Sequence, residues 1–402
     1  MKITRRVFAF LLVLYAPLLL FSSSEASRKS AAKSQYLAYV GTYTTKTESK
    51  GIYSFQLDAT TGKMTAPVLA AESPDPSFVA VHPDGKYLYA VNEAGKNSMV
   101  SAFAIDASSG KLTLLNQLPA LGEDPCYISF DRAGKFVLIA NYSSGNVAVF
   151  PILPDGKLGE HTAVVQDSGA LGPNKERQDG PHAHWIEPSA HNRFVYVADL
   201  GLDRILIYKF DAAKGILTPG EAKPGGSNSS AANPDDPFSA TLNPGTGPRH
   251  VAFSHDGNFM YVLGEMKSSV TVFKNDARET FRQVQQISAL PAGFSGRNDA
   301  AEIAIHPNGK FLYTSNRGHE SIAVFAIEPR TGTLTLLADV PTGGKEPRHF
   351  AIDPSGHYLL AENQFSNNIA GFRIDTATGK LTATGEVVQA PSPVCVAFLV
   401  RH

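Results

Sequence analysis

The amino-acid sequence predicts an all-β chain folded as a single seven-bladed β-propeller with four-stranded blades, and three observations carry that prediction. One unit recurs six times at propeller-blade spacing, the two chain ends each hold part of a seventh unit, and helical periodicity is nowhere sustained.

The repeat is clearest in the segments VHPDGKYLYAVN from Val81, FDRAGKFVLIAN from Phe130, EPSAHNRFVYVAD from Glu187, FSHDGNFMYVLG from Phe253, IHPNGKFLYTSN from Ile305 and IDPSGHYLLAEN from Ile352. Their turn residues Gly85, Gly134, Asn192, Gly257, Gly309 and Gly356 lie 49, 58, 65, 52 and 47 residues apart. Each unit reads as a strand, a Gly- or Asn-containing turn, a second strand, another turn, a third strand, and a Gly turn into a fourth. That last turn recurs as Thr61-Gly62-Lys63, Ser109-Gly110-Lys111, Thr331-Gly332-Thr333 and Thr378-Gly379-Lys380, with glycine where positive φ is often needed. The seventh unit is split. Residues 36–58 lack a first strand, while SPVCVAFLV from Ser392 matches the first strands at 77–81 and 126–130. The two ends are therefore expected to complete one blade and leave no open edge.

Composition suits one large core: of 402 residues 43% are hydrophobic and 18% charged. A net charge of −1 provides no field to attract DNA or anionic lipid, so nucleic acid is excluded as a partner. Residues 1–26 read as a signal peptide: Lys2, Arg5 and Arg6 precede an apolar run from Val7 to Phe21, followed by the small-x-small pattern Ser24-Glu25-Ala26. Thr4-Arg5-Arg6-Val7-Phe8 also resembles a twin-arginine export signal. The expectation is an exported, periplasmic or extracellular protein without membrane attachment once the signal is removed, with a flexible lead-in at 27–35 and a monomeric propeller over 36–402. Cys126 and Cys395 fall in apolar strands of non-adjacent blades and are expected to be buried free thiols. Trp185, the only tryptophan, is expected in inter-blade packing.

In a propeller the first strand of each blade lines the central channel and the second runs antiparallel beside it, so the starts of the first and the ends of the second share one rim. The starts carry His182, His184, Arg249, His250, Glu302, Arg348 and His349. The ends add Glu93, Asn141, Asp199, Glu265, Asn316, Arg317, Glu362 and Asn363. Long polar connections at 168–181, 221–248 and 291–300 lead into the same rim. Arginine-rich starts suit an anionic ligand, since guanidinium forks bind carboxylate or phosphate in a bidentate manner, and Glu265 and His182 are candidate proton-transfer groups. The competing reading is a solvated network in which the acids merely neutralise the cations. His182-x-His184 places two imidazoles on one strand face, but without a clear carboxylate third ligand neither metal nor other cofactor is expected. No G-x-S-x-G elbow occurs.

The blocks Gly41-Thr42-Tyr43-Thr44, DPCYISFDRAGKFVLIANYSSGNVAVFP from Asp124, HAHWIEPSAHNRFVYVADLGLDRI from His182 and LYTSNRGHESIAVF from Leu312 resemble the bacterial lactonase family of seven-bladed propellers. That family includes the propeller type of 6-phosphogluconolactonase and the fungal 3-carboxy-cis,cis-muconate cyclase. The resemblance implies an active site of His182, Arg249, Glu265 and Arg317; from the rim positions, His184, His250, Arg348, His349, Glu302 and Asn141 are expected to extend the substrate pocket. It implies hydrolysis of a sugar lactone, water being activated by Glu265 or His182 without a metal, and an unphosphorylated aldonolactone fits an exported protein better than a phosphosugar. A cyclase-type lyase acting on a tricarboxylate and a non-catalytic exported binding propeller are the alternatives.

Overall fold

The computed structural model describes residues 35–219, 239–275 and 281–400. The signal segment, nearly all of the 27–35 lead-in, and the 225–237 stretch lie outside the described residues. Among those described, no helix is long and apolar enough to cross a membrane.

The chain forms seven sheets, each with its strands in sequential antiparallel order. Blades 1 to 6 occupy residues 78–119, 125–166, 183–219, 248–288, 299–341 and 347–389. Blade 7 is built from both ends: Pro393–Leu399 pairs with Gln35–Thr42, which continues through Gly51–Asp58 to Val68–Glu72. The split unit thus closes the ring as expected. Blade 3 departs from four strands, because Ser239–Thr241 pairs with Arg204–Leu206 beyond the stretch covered by Ile216–Pro219, so two short strands share its outer edge.

Alternation along the strands sends apolar side chains to both faces of each blade, and seven hydrophobic clusters result, one at each interface between neighbouring blades. Trp185 lies in the cluster between blades 3 and 4, 1% exposed, as its packing role required. Cys126 and Cys395 are free and buried in blades 2 and 7, separated by blade 1. The repeated turns also join blades: His82 Nε2 meets the Gly134 carbonyl at 2.8 Å and His306 Nε2 the Gly356 carbonyl at 2.7 Å.

One feature of the first strands positions the site. Each of blades 2 to 6 carries a β-bulge near its start, leaving Cys126, His184, Arg249, a residue of the Ala301-Glu302 pair, and Arg348 opposite no partner on the second strand. Blade 7 skips Val394 in the same way. A bulge re-aims side chains, so consecutive residues can face one side where strict alternation would separate them.

Candidate active site

Five of those six bulges contribute directly to a small cavity at the channel mouth, lined by Cys126, His184, Arg249, Arg348 and Val394 together with His250, His349, Tyr43, Glu93, Ser77 and Phe78. Its volume of about 10 Å³ is the room of one water molecule, so it forms the floor of a binding mouth rather than a closed ligand chamber.

Beside it stands Glu265, which follows the second strand of blade 4 and gathers basic side chains from four segments. Arg177 Nη2 lies 2.6 Å from Oε1, Arg317 Nη2 3.3 Å from Oε1, Arg249 Nε 3.2 Å from Oε2, and His184 Nε2 3.9 Å from Oε2. Burial alone would raise the carboxyl pKa; the guanidiniums of Arg317, Arg249 and Arg177 outweigh it and hold Glu265 well below the usual carboxylate range. Burial lowers the Arg249 pKa to about 10, assisted by Arg317, so the guanidinium stays charged at neutral pH. Glu265, one of the two expected candidate bases, is thus held in its ionised form among three arginines. Arg317 also donates from Nε to the Asp299 carbonyl at 3.1 Å, and its Nη1 is 3.8 Å from Glu346.

A second chain crosses the channel behind Arg249. Arg249 Nη1 meets His250 Nε2 at 3.3 Å, His250 Nδ1 meets Glu302 Oε2 at 2.9 Å, His349 Nε2 is 3.4 Å from the same oxygen, and His349 Nδ1 meets Glu362 Oε2 at 2.7 Å. All are buried. Burial pushes the pKa values of His250 and His349 down and those of Glu302 and Glu362 up, favouring the neutral form of each group along this line of contacts.

His182 and His184 do not converge as a metal pair. They flank the Tyr142 ring, His182 stacked on its face with centroids 4.7 Å apart and His184 at its edge at 5.4 Å. The bulge at His184 breaks the shared strand face that the spacing implied. His182 Nδ1 lies 3.0 Å from the Tyr142 carbonyl and Nε2 2.9 Å from Asp179, while its backbone N–H donates to Asp199 Oδ1 at 2.9 Å. His184 Nδ1 contacts Cys126 Sγ at 3.5 Å, and burial, then Arg249 and His250, push its pKa well down, leaving a neutral ring. Among the described residues no group of three or more His, Cys, Asp or Glu side chains is arranged to hold a metal.

Asn141 does not reach the cavity: it is fully buried and its Nδ2 donates to the Ala120 carbonyl at 3.2 Å, the structural task Asn316 performs with Ala289 in blade 5. Three participants escaped the sequence reading of the rim. Arg177 sits in the 168–181 connection, where no strand pattern marks a direction, and Tyr43 and Tyr142 lie just beyond second-strand ends.

The family model described as Lactonase, 7-bladed beta-propeller, matches residues 37–398. A 6-phosphogluconolactonase of Bacillus subtilis is 38% identical over 91% of this chain and 99% of its own length. Among solved structures, a putative 6-phosphogluconolactonase of Bacteroides fragilis superposes with a TM-score of 0.82 at 36% identity, covering 91% of this chain and 98% of its own. A Pseudomonas aeruginosa protein described as a periplasmic gluconolactonase has a TM-score of 0.82 at 31% identity, covering 91% and 99%. Match length, identity and the common fold agree, and the chain belongs to the lactonase family of seven-bladed β-propellers.

Proposed function

We propose that this chain hydrolyses a sugar lactone of the gluconolactone type, and the observation that carries the proposal is the set of guanidiniums gathered by Glu265 at the cavity edge. Attack of water on a ring ester places negative charge on the carbonyl oxygen. Arg249 and Arg317, already oriented and largely shielded from solvent, supply fixed positive charge for that oxygen without reorganising during the reaction. The names of the relatives support the reaction class.

His182 is proposed as the general base. Its Nδ1–H donates to the Tyr142 carbonyl, which leaves the Nε2 lone pair for the proton of an attacking water; the 2.9 Å contact of Nε2 with Asp179 forms once Nε2 carries that proton and stabilises the imidazolium. The water oxygen bonds to the carbonyl carbon, the ring C–O bond breaks, and the ring oxygen takes the proton back from His182 as it becomes a hydroxyl. The product is the open hydroxy acid. The arginines supply the electrophilic charge, so the scheme routes no step through a metal.

Residues 1–26 are proposed to export the chain, in keeping with the periplasmic Pseudomonas relative. The test is a pH-stat assay of the purified mature chain on glucono-1,5-lactone and 6-phosphogluconolactone, with and without chelator. Acid release above the spontaneous rate, indifferent to chelator and reduced roughly 10²–10⁴-fold in His182→Gln, is expected. No release above background would overturn the activity, and full turnover in His182→Gln would overturn the base.

A further inference from the structure

On the side of the cavity formed by blades 6, 7 and 1, Arg348, Tyr43 and Glu93 make a linked set that the hydrolytic scheme does not use. The Tyr43 hydroxyl donates to Glu93 Oε2 at 2.7 Å and accepts from Arg348 Nη2 at 3.0 Å, with the guanidinium carbon 5.4 Å from the Tyr43 ring centre. The hydroxyl is thus saturated. Its two neighbours are not: among the described residues Glu93 Oε1 accepts no hydrogen bond, and Arg348 Nε and Nη1 donate none. An acceptor oxygen and a pair of donors are therefore presented together to the cavity that both residues line.

A hydroxyl group uses both at once, donating its proton to the carboxylate and accepting from the guanidinium, whereas a phosphate oxygen can only accept. A phosphate could take Arg348 but would bring its charge against Glu93 with no proton to give. Each guanidinium of the mouth also already faces a carboxylate. Arg177, Arg249 and Arg317 face Glu265; Arg317 also faces Glu346; Arg177 and Arg297 share Asp299; and Arg348 reaches Glu93 through Tyr43. The cavity histidines His184, His250 and His349 stay neutral through burial. A dianion seated here would compete with those carboxylates for the guanidiniums and would meet the charge of Glu93.

We propose that Glu93, Tyr43 and Arg348 form a subsite that reads hydroxyls of an uncharged aldonolactone and disfavours its phosphorylated counterpart. The inference rests on the lactone-hydrolase reading above and names the class of substrate within it. Arg348 acts there as a hydrogen-bonding fork for a sugar and not as a phosphate anchor, and Glu93 is the element of selectivity.

The test measures initial rates on glucono-1,5-lactone and 6-phosphogluconolactone, and calorimetric binding of gluconate and 6-phosphogluconate, for the wild type and Glu93→Gln. The wild type should favour the unphosphorylated member of each pair about tenfold or more. Glu93→Gln replaces the acceptor with an amide and removes the charge, and should lower kcat/KM on the unphosphorylated lactone about tenfold while raising it on the phosphorylated one. A wild type that favours the phosphorylated ligands, or a variant that loses both equally, overturns the subsite. Turnover with the opposite preference would leave the hydrolase reading standing and remove this one. Gluconate binding that depends on Glu93 without turnover of either lactone would do the reverse. Should Glu93→Gln fail to fold, the wild-type ratios alone decide.

Discussion

Replacing Glu265 by Gln separates two roles that a buried carboxylate can play, because a base can be lost from an intact fold whereas an anchor cannot. The structure assigns three guanidiniums to this one side chain. Arg177 is 34% exposed and contributes little through solvent-screened attraction, but Arg249 and Arg317 are 4% and 7% exposed. Arg317 would keep the Asp299 carbonyl and the more distant Glu346, while Arg249 would keep only the Ala301 carbonyl and His250. Removing one partner of a buried ion pair costs about 3–5 kcal/mol, and that is the destabilisation expected for Glu265→Gln. Urea unfolding followed by the fluorescence of Trp185, the single buried tryptophan, reads it as a midpoint lowered by roughly 1–2 M, at a slope of about 3 kcal/mol per M. The pH dependence has a definite sign. The folded pKa of Glu265 lies below its unfolded value, so its contribution is present above about pH 4 and fades as the pH falls toward the depressed native value. The difference between wild type and variant should narrow in that acid range. A variant with the wild-type midpoint at pH 7 and a kcat reduced 10²-fold or more would refute the anchor assignment and restore Glu265 as the base.

Other expectations follow from the packing. Deleting residues 392–402 removes the innermost strand of blade 7 with Val394, Cys395, Val396 and Leu399, each at most 5% exposed; at about 1.5–3 kcal/mol per buried side chain the loss rivals the whole stability of a domain, and the truncated chain should fail to give soluble monomer on size-exclusion chromatography. Trp185→Ala empties the blade 3–4 interface and should cost about 3–5 kcal/mol in thermal or urea unfolding, and a cost below about 1 kcal/mol would contradict its packing role. Cys126 and Cys395 carry pKa values raised by burial, so a thiol reagent should label neither in the native protein and both in denaturant.

Much of this was legible in the sequence because a propeller repeats its local rules. The glycine turns, the six units and the split seventh follow from short-range chemistry that each blade states again, and ring closure follows from the need to pair two edges. The rim residues were legible for a related reason: a histidine or arginine inside an apolar strand pattern has few places to go except the channel. What could not be read was pairing between distant segments. Arg177 reaches Glu265 from the 168–181 connection, and nothing in that polar stretch encodes which of its charged residues turns inward. Asn141 is the opposite case, since a polar strand end gives no sign in the sequence that its amide is directed to the Ala120 carbonyl and not to the cavity.

The bulges account for the remaining gap, and they are the structural reason that the site exists at this rim. Alternation assigns consecutive strand residues to opposite faces, so Arg249 with His250, or Arg348 with His349, should contribute one side chain each to the channel mouth. In the structure both members of both pairs line the same cavity, because the extra residue shifts the register by one and lets the following residue resume its pairing: His250 pairs with Leu263 and His349 with Glu362. A regular ladder would leave half of these polar groups to be buried between blades, where an unpaired guanidinium is prohibitive. The bulge removes that conflict, giving blades 4 and 6 two polar side chains each at the mouth while the strand beyond it packs as an ordinary apolar core. Sequence reasoning finds the polar pairs but has no rule for the inserted register, so it places the residues at the rim and misjudges the directions in which they point.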